Sequence, residues 1–521
     1  MIRHCLVSYF TIIFLLAIGS CSCKRSNSSD KPNVLIINAD DLGYGDLSCY
    51  GATKVRTPQI DKLAGEGRRF RDAHTASAVC TPSRYALLTG EYAFRKGELY
   101  SPIFLKDPLV IDTTQITLAS MMKEAGYSTA CIGKWHLGFG TETPVDWNKP
   151  LKPGPLELGF DYYFGIPVVN SHPPFVFVEN HRVVGYDPTD PFVYDETAET
   201  RPYREKFDMH KIGGAKAAHA LYDDEQVGTT LKNKAIEWIE ANHKDPFFLY
   251  LATTNIHHPF SSAPQFHGTS DGGIYGDFIH ELDWIVGEVL NTLDDLEIAD
   301  RTLVIFTSDN GGMLNKGGQE AWIAGHHLNG DLLGFKFDVW EGGHRVPFIV
   351  RWPGHVEPGS ESDILICNVD MLATLAAVIG RPLRPDEGPD SFNVLEAFTG
   401  NPESEIRDHL ILSPERSQHN ALREGKWVYI SAQGGGGSQS SNIGDHGLGG
   451  PAAHLLTNQV NSDIENGKLK ADAPPAQLYD LSIDPFQTTN LYYDFPDIVN
   501  KMQTKLTELM TPGQITHKNR N

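Results

Sequence analysis

The sequence predicts an α/β protein: a mainly parallel sheet covered by helices, followed by a smaller C-terminal unit with an antiparallel sheet. Short apolar runs alternate with longer amphipathic runs along most of the chain. Apolar strands separated by helices are typical of a parallel sheet that is buried on both faces. After about Leu410 the runs become short and alternating, which indicates a separate unit. A chain of 521 residues is also long enough to form more than one core.

The predicted elements follow in order along the chain. Strands of the parallel sheet are predicted at 34–37, 128–132, 247–252, 302–307 and 348–350. Helices are predicted at 116–125, which Gly126 closes, and at 227–242, 275–293 and 370–379. The C-terminal unit is predicted to contain strands 426–430 and 477–481, a flexible loop from Gly434, and a terminal helix 496–510.

Residues 141–214 break this alternation. The segment is rich in Pro, Tyr, Phe and His and has little periodicity, so it is predicted to be a long excursion on the surface. Excursions of this kind often shape the substrate pocket of an α/β enzyme.

The N-terminal segment predicts export. Arg3 gives a positive start, residues 6–18 are largely apolar, and the apolar run is too short to span a membrane. Cys21 after small residues resembles the lipidated Cys of a bacterial lipoprotein; a simple secretory signal is the alternative. The predicted organisation is a signal over 1–20, a polar tether over 21–31, a large α/β domain over 32–410 and an α+β unit over 411–521.

Composition restricts the function further. The formal net charge of −22 argues against general binding of nucleic acid, which requires a basic face. An anionic substrate would therefore need a local cluster of cations. The body of the chain holds four cysteines, Cys49, Cys80, Cys131 and Cys367, which form neither a disulfide framework nor a zinc motif.

The segment 80–84 reads Cys-Thr-Pro-Ser-Arg and is followed by Tyr-Ala-Leu-Leu-Thr-Gly. Pro82 suits the first position of a helix, so a short helix is predicted to end near Gly90, with Cys80 just ahead of it. Backbone N–H groups and the dipole at a helix start favour an anion there, and Arg84 lies one turn further on. One hypothesis is that Cys80 is a nucleophilic thiol.

Polar side chains follow each predicted strand, at the edge of the sheet where ligands of open α/β sheets bind. Asp40 and Asp41 follow the first strand, and Asp309 and Asn310 follow the strand at 302–307. Asp and Asn after strands are often turn formers. Because paired oxygen donors occur in two places beside a helix-start Cys, a site for Ca²⁺ or Mg²⁺ is favoured.

Cations are predicted at the same edge. They are Arg84, Lys134, His136, His257 and Lys336. Each alone could be a solvated Lys or Arg, or a hydrogen-bonded structural His. Together, after strands that converge, they would supply the cationic pocket that the overall charge lacks.

These segments resemble one family. The stretch from Cys80 resembles the type I sulfatase signature, Cys-x-Pro-x-Arg followed by Leu-Thr-Gly. The stretches 33–46, 126–138, 257–259 (His-x-Pro), 307–311 and 340–343 resemble further motifs of that family. The chain is thus similar to type I, formylglycine-dependent sulfatases, above all to bacterial carbohydrate sulfatases related to N-acetylgalactosamine-6-sulfatases and to arylsulfatases. The resemblance implies an alkaline-phosphatase-type α/β domain with a smaller C-terminal antiparallel sheet.

The resemblance also implies a mechanism. Cys80 would be converted to formylglycine by a formylglycine-generating or anaerobic sulfatase-maturing enzyme. Hydrated, it would bind one Ca²⁺ together with Asp40, Asp41, Asp309 and Asn310. Arg84 and Lys134 would stabilise the nucleophile, while His257 and Lys336 would hold the sulfate and protonate the leaving oxygen. His136 would then deprotonate the second hydroxyl and release sulfate.

The expected substrate is a sulfated sugar of a glycan, with 6-O-sulfated galactose or N-acetylgalactosamine favoured, and His172 of the excursion is a candidate sugar contact. The predicted enzyme is exported to the periplasm or cell surface, with membrane contact only through a lipid anchor at Cys21. The alternatives are a phosphonate monoester or phosphodiester hydrolase of the same superfamily, an inactive glycan-binding protein, and a cysteine hydrolase that leaves the Asp pairs unexplained.

Overall fold

The computed structural model describes residues 31–97, 99–197, 211–437 and 440–511. The predicted export signal, Cys21 and all of the predicted tether except Lys31 lie outside the described residues. Among the described helices, none combines the length and the apolar character that a membrane crossing requires.

A ten-stranded sheet forms the centre of the larger domain. Its strands, in chain order, are β1 (Asn33–Ala39), β2 (Arg68–Phe70), β3 (Ser128–Gly133), β4 (Tyr162–Gly165), β5 (Val178–Glu179), β6 (Arg182–Val183), β7 (Phe247–Ala252), β8 (Thr302–Ser308), β9 (Phe348–Arg351) and β10 (Ser360–Ser362). Their order across the sheet is β10-β2-β9-β8-β1-β7-β3-β4-β5-β6. The central run β8-β1-β7-β3-β4 is parallel, and antiparallel pairs join it on both sides. The predicted fold class is confirmed.

Helices cover both faces of this sheet. They are α1 (Pro58–Glu66), α2 (Cys80–Thr89), α3 (Leu118–Glu124), α4 (Lys216–Ala220), α5 (Val227–Asn242), α6 (Gly273–Asp295), α7 (Lys316–Ile323), α8 (Glu341–His344), α9 (Met371–Val378) and α10 (Leu395–Thr399). Alternate side chains of each central strand enter opposite cores: Ile36 packs with residues of α2, α3 and α9, and Ile37 with residues of α1, α5 and α6. Strands that are apolar at every position are therefore buried on both sides.

The C-terminal unit contains a four-stranded antiparallel sheet, with β11 (Leu410–Leu412), β12 (Ala421–Glu424), β13 (Trp427–Ile430) and β14 (Gln477–Asp480) in that order. Helices α11 (His454–Thr457) and α12 (Pro496–Met510) complete it. A third core joins this sheet to the larger domain, because Trp340 and Tyr92 pack among its apolar side chains. Within the described ranges, three two-stranded pairs accompany the sheets: Ala73–His74 with Ile366–Cys367, Val193–Tyr194 with Ile212–Gly213, and Ile464–Glu465 with Lys468–Leu469.

Two local predictions need correction. Helix α2 begins at Cys80 itself, with Val79 as its N-cap, so Pro82 is the third helical residue and not the first. Proline fits there because all N–H groups of the first turn lack partners within the helix. The excursion at 141–214 is only partly a surface loop, since β4, β5 and β6 extend the main sheet. Strands of two to four residues are too short to show a periodic pattern.

Candidate active site

The site lies where the central parallel strands end. Asp40 and Asp41 follow β1, Lys134 and His136 follow β3, His257 follows β7, and Asp309 and Asn310 follow β8. These strands are neighbours in the sheet, so their carboxyl ends deliver all these side chains to one edge. Cys80 and Arg84 come from α2, and Lys336 comes from the loop before α8.

Three buried carboxylates form the centre of the site. Oxygen atoms of Asp40, Asp41 and Asp309 lie within 4.8 Å of one another. We call these three residues the acid cluster.

Three cations surround the acid cluster, one for each carboxylate. Lys134 Nζ lies 2.8 Å from both carboxylate oxygens of Asp40. Lys336 Nζ lies 2.5 Å from Asp41 Oδ1. The guanidinium of Arg84 donates to Asp309 Oδ2 from Nε at 2.8 Å and pairs with the same oxygen through a terminal nitrogen at 2.7 Å. With the carboxylates ionised, the buried charges of the protein alone sum to zero.

The acid cluster fits a divalent cation. Asp41 Oδ2 and Asn310 Oδ1 are buried, and neither has a hydrogen-bond partner among the described residues. Burial raises the pKa of Asp40 to about 7, with Lys134 opposing the shift and Asp309 and Asp41 adding to it. Buried acceptor oxygens without a donor, beside a carboxyl group whose pKa burial raises, form a place where a bound cation would be stabilised. Carboxylate and amide oxygens are the ligands of Ca²⁺ and Mg²⁺.

Cys80 is the first residue of α2 and is only 2% exposed. Burial raises the pKa of its thiol, although the charges of Lys134 and Lys336 oppose the shift. A buried, protonated thiol is a poor nucleophile. The structure therefore offers no support for a cysteine hydrolase that acts through the Cys80 thiolate.

His136 presents one ring nitrogen without a partner. Its Nε2 lies 2.7 Å from the carbonyl oxygen of Ile103, which can only accept, so Nε2 carries the hydrogen. Nδ1 is buried and has no hydrogen-bond partner among the described residues. Burial and the charges of Lys134 and Arg84 hold the pKa of His136 well below its usual range. His136 is thus a neutral imidazole with a free lone pair on Nδ1.

His257 is oriented by a residue that the sequence did not assign. Its Nδ1 lies 3.1 Å from Asn170 Oδ1 and 2.8 Å from the carbonyl oxygen of His258. The Asn170 amide donates in return to the backbone oxygen of His257 at 3.1 Å. These contacts direct Nε2 toward the acid cluster, 3.8 Å from Asp41 Oδ2. Burial, together with His258 and Lys336, holds the pKa of His257 well below its usual range.

Backbone geometry explains the turns that carry these residues. Gly133 ends β3 with φ of 121°, and a Cβ there would lie 1.8 Å from the carbonyl oxygen of Ala252. Only glycine permits this approach. Asp41 and His136 adopt left-handed φ values of 61° and 57°, which is costly for residues other than glycine and persists where the surroundings demand it.

A pocket of about 230 Å³ opens onto Cys80. It is lined by Cys80, Pro102, Phe104, His136, Val169, His172, His257, His258, Met313, Lys336, Phe337, Ser440, His446 and Gly447. The His172 ring packs against Phe104 at a centroid distance of 5.1 Å, and its Nδ1 lies 2.9 Å from Ser171 Oγ.

The sequence indicated some of these lining residues and not others. Asn170 and His172 stood out only through the composition of the excursion. His446 carried no signal, because nothing in a Gly- and Ser-rich loop shows which distant pocket the loop reaches.

Comparison with known proteins identifies relatives of this chain among the sulfatases. The sulfatase family model matches residues 32–380. The chain is 38% identical over 516 residues to the N-acetylgalactosamine-6-O-sulfatase of Bacteroides thetaiotaomicron, with 94% of each chain covered. It is 31% identical over 432 residues to human steryl-sulfatase, with 74% of this chain and 73% of the relative covered.

A solved structure from work on glycosaminoglycan metabolism by Bacteroides thetaiotaomicron aligns with a TM-score of 0.80 at 35% identity, over 92% of this chain and 99% of that one. The chain belongs to the sulfatase family and is a sulfuric ester hydrolase.

Proposed function

We propose that this sulfatase removes sulfate from sugars of glycans, with 6-O-sulfated N-acetylgalactosamine or galactose as its substrate. The observation that carries the proposal is the pocket that Cys80, His136, His257 and Lys336 line, because Lys336 joins it to the buried acid cluster through Asp41. The identity of 38% to an N-acetylgalactosamine-6-O-sulfatase supports the choice of sugar.

Asp40, Asp41, Asp309 and Asn310 would hold one Ca²⁺, with residue 80 as a further ligand. Bound there, the ion supplies two positive charges and draws electron density from the oxygens it contacts. Because the buried side chains alone are balanced, the loaded site carries a net positive charge. That charge attracts a sulfate monoester into a protein whose formal net charge is −22.

Residue 80 would act as formylglycine, which when hydrated supplies an oxygen nucleophile where the thiol stood. Cys80 is 2% exposed and lies in a helix whose residues are all buried. A maturing enzyme, either a formylglycine-generating enzyme or an anaerobic sulfatase-maturing enzyme, would therefore meet this Cys before the chain folds. Export to the periplasm or cell surface, with or without a lipid anchor at Cys21, remains part of the proposal.

Five further side chains of the site would carry the remaining steps of the reaction. Arg84 and Lys134 stabilise the nucleophile. His257 and Lys336 would hold the sulfate and protonate the leaving oxygen, which is general acid catalysis. Because the pKa of His257 is lowered, its imidazole would act as an acid only after it takes up a proton with the bound sulfate. His136 would accept a proton from the second hydroxyl of residue 80, so that the C–O bond to sulfate breaks, the aldehyde re-forms and sulfate leaves. The free lone pair on Nδ1 of a neutral ring suits His136 for that last step.

The pocket limits the alcohol part of the substrate. Its 230 Å³ lies just below the range of about 300–1,000 Å³ for typical ligand sites, which suits one sugar ring with its sulfate. The His172 and Phe104 rings provide an aromatic surface for that ring.

The test is release of free sulfate by matured protein from 6-sulfated N-acetylgalactosamine and galactose, with the 4-sulfated sugars as matched controls. The mass of the Cys80 peptide is measured in the same sample. We expect release from the 6-sulfates that disappears in Cys80→Ala. Hydrolysis of aryl phosphodiesters without release from any sulfated sugar would favour the phosphonate and phosphodiester alternative. Binding of sulfated sugars without turnover would favour the inactive glycan-binding alternative.

A further inference from the structure

One wall of the pocket comes from the C-terminal unit. Ser440, His446 and Gly447 line the same pocket as Cys80, although they lie more than three hundred residues further along the chain. We call residues 440–448 the wall segment.

The wall segment is bound to the larger domain at a defined place. Gln319 of α7 donates from Nε2 to the carbonyl oxygen of Asp445 at 2.8 Å and accepts from the Gly444 N–H at 2.8 Å. Leu448 is 1% exposed and packs in the core beneath α6 and α7. Within the segment, Asp445 Oδ2 accepts from Ser440 Oγ at 2.6 Å. The segment therefore has a determined position beside the pocket.

Its histidine ends a row of three imidazole rings. The His446 ring meets the His258 ring edge to face at a centroid distance of 4.3 Å. His258 stacks on His257 at 4.4 Å, and His257 is the ring nearest to the acid cluster. Along this row, His446 lies two rings outward from the charged centre that would hold the sulfate.

We propose that His446, supported by His258, binds the hydroxyl groups of the sugar and determines specificity for a polyhydroxylated alcohol. The proposal rests on the proposed function. In the proposed function, Lys336 and His257 hold the sulfate beside Cys80. Sulfate is a small group, so the His446 ring, which lies further out, would contact the sugar to which the sulfate is attached. An imidazole offers a donor and an acceptor, which match hydroxyl groups and have no partner on an aryl ring. A site built to hydrogen-bond a substrate hydroxyl discriminates through that bond.

The experiment compares two substrates in matured protein. For His446→Ala we expect kcat/KM for 6-sulfated N-acetylgalactosamine to fall about tenfold, mainly through KM, because a neutral hydrogen bond contributes about that factor. For 4-nitrophenyl sulfate, which carries no hydroxyl group, we expect His446→Ala to change kcat/KM by less than about twofold. His446→Asn, which retains a donor and an acceptor, should recover part of the activity on the sugar.

Gln319→Ala is the matched control for the wall segment. Gln319→Ala removes both hydrogen bonds between α7 and the wall segment but leaves the His446 side chain intact. It should therefore lower kcat/KM for the sulfated sugar by a smaller factor than His446→Ala does. The thermal midpoint of each variant shows whether it is folded.

Other outcomes would overturn the proposal. Equal losses on both substrates in folded His446→Ala would assign His446 to the chemistry or to the scaffold. No loss on the sugar would exclude a sugar contact. If the wild-type protein hydrolyses the aryl sulfate and no sulfated sugar, the proposed function fails and the role of His446 fails with it, whereas the two preceding results contradict the role of His446 alone.

Discussion

Two buried clusters among the described residues consist of side chains that can bind a metal ion, and they differ in use. The acid cluster is one; His74, Glu341 and His344 form the other, which we call the histidine cluster. In each, three potential metal ligands lie within 4.8 Å of one another and are buried. Only the acid cluster lies at the ends of the central strands, beside the pocket that Cys80 lines.

Protein groups already occupy the ring nitrogens of the histidine cluster. His74 Nε2 lies 2.8 Å from Asp72 Oδ1, and His344 Nε2 lies 2.9 Å from the carbonyl oxygen of Val339. Their Nδ1 atoms lie 3.0 Å from each other. Glu341 pairs with Arg345 at 3.0 Å, although neither carboxylate oxygen of Glu341 has a hydrogen-bond partner among the described residues. In the histidine cluster the imidazole nitrogens thus face protein groups, whereas the acid cluster has the acceptor oxygens Asp41 Oδ2 and Asn310 Oδ1 beside it without such partners.

Asp72, which contacts His74 of the histidine cluster, connects the two parts of the chain. Arg423 of β12 pairs with both oxygens of Asp72, at 3.0 Å and 2.7 Å, and Arg345 holds Asp72 Oδ1 at 2.5 Å. Burial opposes ionisation of Asp72, but these two guanidinium groups hold its pKa well below its usual range. A bidentate, charge-assisted pair of this kind fixes the C-terminal sheet on the larger domain.

Removing one carboxylate from the acid cluster should have the largest effect. We expect Asp309→Asn to lose bound metal and to lower kcat/KM by more than about a hundredfold, because it removes one negative charge from the ligands and the anionic partner of Arg84. Elemental analysis and sulfate release measure the two effects. The matched control is His344→Gln, which should keep one metal ion per chain. Loss of metal from His344→Gln would show that the two clusters are not distinct.

Removing the residue that orients His257 should have an intermediate effect. We expect Asn170→Ala to lower kcat/KM about tenfold, because the His257 ring loses its side-chain partner while every charged group remains. Metal content should stay at the wild-type level. A variant with unchanged activity would mean that the backbone oxygen of His258 suffices to hold the ring.

Breaking the ion pair between Asp72 and the C-terminal sheet should lower the stability of the protein without changing its catalytic activity. We expect Arg423→Met to lower the free energy of unfolding by about 2 kcal/mol, less than the 3–5 kcal/mol for a buried charge left unpaired, because Arg345 still pairs with Asp72. Urea unfolding measures the change. The activity of the folded fraction and its metal content should match the wild type, and a loss of metal would contradict the assignment.

The smallest expected effect is a change in how stability depends on pH, and it arises from the protonation of Asp72 in acid. Its pKa is lowered in the folded protein, so its contribution to stability is present above the unfolded value of about 3.9 and is lost as pH falls through the folded value. Arg423→Met should weaken this dependence below about pH 4, because one of the two stabilising charges is gone. Unfolding midpoints measured from pH 5 to pH 2 test it. Identical acid profiles would assign the whole shift to Arg345.

Local patterns were sufficient for the longer strands of the main sheet and for several of the longer helices. Helices α5 and α12 coincide with the predicted 227–242 and 496–510, because their apolar residues recur with the helical period. The predicted helix at 116–125 extends past both ends of α3. In the structure α3 begins only at Leu118, because Thr117 is the N-cap and its side chain accepts from the Ser120 N–H. Cap geometry shifts a boundary without changing the pattern that predicts the helix.

The sequence by itself determined the long central strands, their polar ends and therefore the residues gathered around Cys80, because parallel strands deliver their carboxyl ends to one edge. Only the tertiary structure decided the residues that meet across long separations. The contact of Asn170 with His257, the wall that His446 forms and the pair of Asp72 with Arg423 all join segments that have no local pattern in common. Such contacts depend on how loops and a second sheet pack on the first one, and packing is a property of the whole chain.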